Sequence, residues 1–310
     1  MLLRRFTDFI LQGRLQAIGT AFVLAFIPLI GGVSILIAAL VTLRKNVYEG
    51  ALVFLAASIP LVIHYVLSPG EATAGILLGL VELALLGNLL VWVFAVILRR
   101  YGNWNFLLET ALLVGVVGVG IVHGLCSDVP GWWEKQLTVY FSKALDMADT
   151  LKTDSGAGLQ DIQAQVIQMA KYYATGFLAA SVLLNALLQL AIARWWQSVI
   201  FNPGGLRDEL MQIRLSHISG GLFVVVMLLG YFKNTLALDI LPVIYAIFAA
   251  AGLSLVHCLM GKIAKGSWFW LMLVYLGVIW LFPFSLVALA IMALFDTWLD
   301  FRKRASRLKN

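Results

Sequence analysis

Of the ionisable side chains inside apolar stretches of this 310-residue chain, three are the candidates for chemistry: Glu82, His64 and His123. A carboxylate or imidazole in hydrocarbon is costly, so its presence there points to a bound proton, cation or polar solute. Glu82 lies in GILLGLVELALLGN (75–88), where Gly75, Gly79, Glu82 and Leu86 share one helical face at spacings of four, three and four. Glycines four apart let helices approach closely, which predicts that Glu82 faces protein or a cavity. His123 follows a glycine-rich face with Gly120 and Gly124, and His64 has a similar depth on another segment. Two imidazoles at like depth can line a pocket that holds a substrate or a proton. The plainer alternatives are a carboxyl hydrogen-bonded across a helix seam and imidazoles whose polar tips reach the interface.

Other polar residues fit structural roles. Asn88, Asn185 and Gln189 suit hydrogen bonds between helices. Glu109 is placed to reach headgroups, Asp239 to begin a helix where the dipole favours an acid, and His257 carries little information. Cys126 and Cys258 match no metal spacing and suggest no disulfide framework. There is no Walker loop, nucleophile elbow, paired-histidine metal helix or redox CxxC, so neither a cofactor nor a metal is expected. An ATP-driven role would need a separate subunit.

The most distinctive polar stretch is the loop 195–217. Asn202-Pro203-Gly204-Gly205 signals a turn. Leu206, Leu210, Ile213 and Leu215 then follow at helical spacing, with Arg207, Asp208, Glu209 and Arg214 on other faces. This predicts an amphipathic helix over 206–215 that lies on the membrane or docks a protein partner through Arg207, Leu210, Ile213 and Arg214.

The elements that must position these groups follow from composition. The chain is 62% hydrophobic and 12% charged, with a mean hydropathy of +0.94. Soluble domains carry about a quarter charged residues, so this is an integral membrane protein rather than a soluble enzyme or a disordered chain. The net charge of +6 comes from short basic clusters beside apolar runs, which suits membrane edges and not nucleic acid. Arg4, Arg5, Arg302 and Arg304 are the expected contacts to lipid headgroups.

The expected fold is an all-α polytopic bundle of about eight to ten membrane segments, since backbone groups in lipid must pair internally. Residues 1–16 form an amphipathic cytoplasmic helix, retained rather than cleaved as a signal. An N-terminal bundle (17–126), an extracytoplasmic helical hairpin (127–171), a C-terminal bundle (172–298) and a basic cytoplasmic tail (299–310) follow. Apolar runs 17–43 and 267–298 are too long for one crossing and short for two. Keeping all basic clusters on one side requires both runs to break, near Pro28-Gly31-Gly32 and near Trp280-Leu-Phe-Pro283, as tilted pairs or re-entrant hairpins. Both termini are then cytoplasmic. The hairpin breaks at Asp154-Ser-Gly-Ala-Gly158 and is either an interfacial element anchored by aromatics or a lid.

Two strings carry a family resemblance. ARWWQSVIFNPGGLRDELMQIRL (193–215) and LFDTWLDFRKR (294–304), with the hydropathy layout, resemble the YybS-like family of predicted bacterial inner-membrane proteins, a domain of unknown function. The resemblance implies a polytopic helical fold in a bacterial inner membrane. It also implies a distant similarity to the substrate-binding membrane subunits of energy-coupling vitamin transporters, from which this chain departs by its additional spans and its hairpin. The leading expectation is therefore a small-solute transporter or solute-capture subunit. A non-catalytic scaffold docking another membrane complex is the alternative. An intramembrane enzyme acting on lipid carriers comes third, because it requires paired acids, or an acid and a histidine, facing one cavity.

Overall fold

A computed structural model describes residues 2–27, 30–67, 74–150, 156–263 and 267–307. The regular elements among them are all helices. In chain order they begin with α1 (Leu2–Gln12), α2 (Arg14–Ala25), α3 (Gly32–Arg44), α4 (Val47–Leu67) and α5 (Ala74–Tyr101). Next come α6 (Trp104–Leu125), α7 (Val129–Thr150), α8 (Gly156–Ala170), α9 (Ala174–Phe201) and α10 (Gly205–Leu210). The chain ends with α11 (His217–Tyr231), α12 (Thr235–Ile263), α13 (Ser267–Trp280), α14 (Phe284–Leu299) and α15 (Phe301–Arg307).

Spanning about 30 Å of hydrocarbon takes about 20 residues at 1.5 Å each. Among the described residues four helical stretches are long and apolar enough: Gly79–Tyr101, Trp104–Leu125, Ala174–Phe201 and Thr235–Gly261. The protein is thus an all-α polytopic bundle built for a bilayer. Both over-long runs are interrupted. The first breaks between Ala25 and Gly32, with Pro28 outside the described residues, and the second breaks between Trp280 and Phe284. The expected hairpin is α7 packed on α8. Gly156 and Gly158, expected in the break, belong to α8, and Asp154 lies outside the described residues.

The chain forms two compact units that cut across the sequence halves. One comprises Met1–Leu108 with Ser181–Ile213, the other Glu109–Ala180 with Arg214–Asn310. In the first unit α2, α3, α4 and α5 pack against one another around Ile35, Ile37, Leu40, Val91 and Phe94. Gly50 permits the close approach of α4 to α3, since a Cβ there would fall 1.8 Å from Thr42 Oγ1.

In the second unit α12 packs on α11 and most extensively on α14. Gly252 sets the α12–α14 spacing, because a Cβ would come within 2.1 Å of the Leu289 carbonyl oxygen. Lipid tails are as apolar as leucine, so such contact between backbones, rather than escape from water, holds membrane helices together. Phe223 of α11 adds edge-on contacts to Tyr245 and Phe248 at 5.3 and 4.7 Å, pairs worth about 1 kcal/mol each.

Candidate functional site

Three helix ends meet in the second unit. His123 lies in the last turn of α6, Asp239 is the fifth residue of α12, and Gly176 is the third residue of α9. His123 Nε2 sits 2.8 Å from Asp239 Oδ2, while the Gly176 N–H donates to Asp239 Oδ1 at 2.7 Å. Asp239 is 1% exposed and the His123 side chain 13%. A buried charge is tolerated only when it is paired and hydrogen-bonded, and both carboxylate oxygens are engaged here. The partial positive charges of the first turns of α9 and α12 also suit a carboxylate at this place.

Local sequence explains the geometry. A Cβ on Gly176 would lie 1.6 Å from the Asp239 carbonyl oxygen, so only glycine lets α9 start this close to α12. Asn234 opens α12 by accepting the Ala237 N–H at 3.0 Å. Pro242, inside α12, touches the same spot, 3.2 Å from where that Cβ would stand. Trp133 of α7 donates its indole N–H to Thr175 Oγ1 at 2.8 Å, which ties the hairpin to the first turn of α9.

At the hairpin base, Lys171 Nζ lies 2.8 Å from Glu134 Oε2 and Gln168 donates to Oε1 at 2.6 Å. The Lys171 hydrogen bond, then that of Gln168, holds the Glu134 carboxyl below its ordinary range, and Glu134 raises Lys171 in return. Beside them is an open groove of about 420 Å³ lined by Glu134, Thr138, Ser142, Gln163 and Gln168. Among the described residues no group of three His, Cys, Asp or Glu is placed to hold a metal ion. Both cysteines are free.

The other expected site residues fare differently. Glu82 is exposed, on the far side of α5 from the buried Val91, Phe94, Ala95 and Leu98, and has no polar partner among the described residues. The expected close approach is missing at Gly79, where a Cβ would meet open space. The His64 side chain lies outside the described residues. Glu82 belongs to the first unit and His123 to the second. Glu109 does not reach toward headgroups. It accepts from the Ser216 N–H at 2.5 Å and from the Ser219 hydroxyl, and so secures the start of α11.

The loop helix is shorter than its apolar spacing predicts: α10 stops at Leu210. Gly204, at φ +90, opens the turn before it. Ser216, accepting the Ser219 N–H, already begins α11. Ile213 is buried, Leu210 half-buried, and Arg214 donates to Asp300 Oδ2 at 3.0 Å and to the Thr297 carbonyl at 2.9 Å. Of the four expected docking residues only Arg207 is exposed. In the tail, burial works against the Asp300 charge, but hydrogen bonds from Lys303 and the nearby Arg214 keep its carboxyl below the ordinary value. Arg302 is not a free headgroup contact, since it pairs with buried Asp296 at 3.2 Å and reaches Ser254 at 3.3 Å. Arg304, Arg4 and Arg5 are exposed.

The sequence suggested His123 without its partner. From sequence Asp239 is a helix-start acid, and nothing in the chain signals that it meets His123, 116 positions away. Comparison with protein-family models, with curated proteins and with solved structures returned no match.

Proposed function

We propose that the protein is a small-solute transporter, or the solute-capturing membrane subunit of one, in a bacterial inner membrane with both termini cytoplasmic. The observation that carries this reading is the His123–Asp239 pair, a buried acid and a partly buried imidazole at the ends of three helices. Asp239, with both oxygens engaged, positions the imidazole; His123 Nδ1 then holds a proton or a polar group of the solute. The two interrupted segments support the reading, because broken helices offer backbone groups to a bound solute. So does the family resemblance of the strings at 193–215 and 294–304. The orientation rests on the basic residues flanking the helix ends.

An enzyme on lipid carriers would also want an acid and a histidine. Asp239 is almost fully enclosed, however, and suits positioning better than reaction.

The test is mass spectrometry of the full chain extracted with its native lipids, compared with H123Q and D239N. The expected result is a solute or an ATP-hydrolysing subunit retained by the wild type, with the solute lost from both variants while they stay folded. Retention of another membrane complex with no solute would overturn the proposal in favour of a scaffold.

A further inference from the structure

Contacts within the first unit bring several helix ends to one place. Arg14 Nε meets Glu49 Oε1 at 3.0 Å and Lys45 Nζ meets Glu49 Oε2 at 3.3 Å, joining the starts of α2 and α4 to the end of α3. Arg99, at the end of α5, donates to the carbonyls of Thr42 and Lys45 at 2.8 and 2.7 Å. Arg44 lies 3.8 Å over the ring of Phe201, the last residue of α9. Glu209 of α10 takes the Trp104 indole N–H at 3.0 Å and the Arg194 guanidinium. Trp196 donates to Thr7 Oγ1 at 2.8 Å and stacks on Phe6, which seats α1 on α9.

Two of the carboxylates at this end, Glu49 and Glu209, are consumed by these contacts. Arg4, Arg5, Arg100 and Arg207 are exposed and have no carboxylate partner among the described residues, although Arg100 lies 5.8 Å from the ring of Tyr101. The exposed acids left, Asp8 and Asp208, are outnumbered. The same end exposes Leu2 by 84% and Leu15 by 81%, with Trp195 half-exposed. Arg100 stands one residue before the end of the span Gly79–Tyr101.

We infer that this end of the first unit binds acidic phospholipid headgroups, with Arg4, Arg5, Arg100 and Arg207 on the phosphodiester and Leu2, Leu15 and Trp195 against the acyl chains. A guanidinium presents parallel N–H donors that match two phosphate oxygens. Exposed apolar side chains beside the charges, and continuity with the end of a span, favour a lipid over an acidic soluble protein, which would leave those side chains in water. The inference is independent of what the protein transports.

The full-length chain in detergent micelles, titrated with phosphatidylglycerol or phosphatidylcholine and read by native mass spectrometry, tests it. The wild type is expected to retain phosphatidylglycerol preferentially, each arginine contributing about fivefold. The variant R4Q/R5Q/R100Q/R207Q is expected to lose most of that preference with an unchanged thermal midpoint. R4Q/R5Q, confined to the outer side of α1, should lose part of it and serves if the quadruple variant does not fold. Equal retention of the two lipids by the wild type, or a preference undiminished in R4Q/R5Q, would overturn the inference.

Discussion

Glu82 and Asp239 are both carboxylates on long apolar helices, and the protein treats them in opposite ways. Glu82 faces outward from α5, over open space at Gly79, with no polar partner among the described residues. Asp239 is enclosed at the start of α12, each oxygen taking one donor, beside a glycine that admits another backbone. A carboxylate in an apolar segment therefore does not by itself mark a site. What makes Asp239 the candidate is the set of helix ends that converge on it, which supply the donors and exclude the surroundings.

The comparison is easiest to break through its glycines. Gly176→Ala places a methyl where the Asp239 carbonyl oxygen stands and is expected to lower stability by about 3 kcal/mol. Gly79→Ala meets nothing and is expected to raise stability by about 0.5 kcal/mol by favouring helix. Thermal midpoints of the two variants in one detergent check this, and similar losses for both would erase the distinction.

The carboxylates themselves come next. Asp239→Asn keeps the shape but removes the charge that His123 and the Gly176 N–H bind, for a loss of about 2 kcal/mol. Glu82→Gln is expected to stay within about 0.5 kcal/mol of wild type. Chemical unfolding monitored by tryptophan emission decides between them; a larger loss at Glu82 would mean that its face is covered.

A smaller effect sharpens the contrast between the enclosed carboxylate Asp239 and the more exposed Glu134 at the hairpin base. Glu134, held below its ordinary 4.5 by Lys171, contributes stability above that value and loses it as pH falls through its lowered pKa. Lys171, raised above 10.5, contributes below that value and loses it only as pH rises through its raised pKa. Amide exchange in α7 and α8, corrected for intrinsic rates, should be flat from neutrality down to about 4.5 and quicken below it, and E134Q should abolish that change.

How much of this was legible in the residues depends on whether the signal was local. The interruptions at Ala25–Gly32 and Trp280–Phe284 were legible, because proline, glycine and the basic clusters on either side act within a few residues. The extent of the loop helix was not. Apolar spacing continues to Leu215, but Ser216 already begins the next helix, and Ile213 is drawn into the interior. The exposure of Glu82 is hidden from the sequence for a related reason: glycine spacing says which residues share a face and not whether another helix lies against it. His123 was legible as a lone imidazole at a span end. Its pairing with Asp239 depends on where three chain segments arrive in space.

Pro242 brings a mechanical consequence to this junction. Having no N–H, it leaves the Leu238 carbonyl without its usual partner one turn into α12, immediately before Asp239. The first turn of α12, which carries Asp239, is therefore tied to the rest of the helix by one hydrogen bond fewer than an uninterrupted helix would have, and its seat is fixed instead by the contacts of Asp239 to His123 and Gly176.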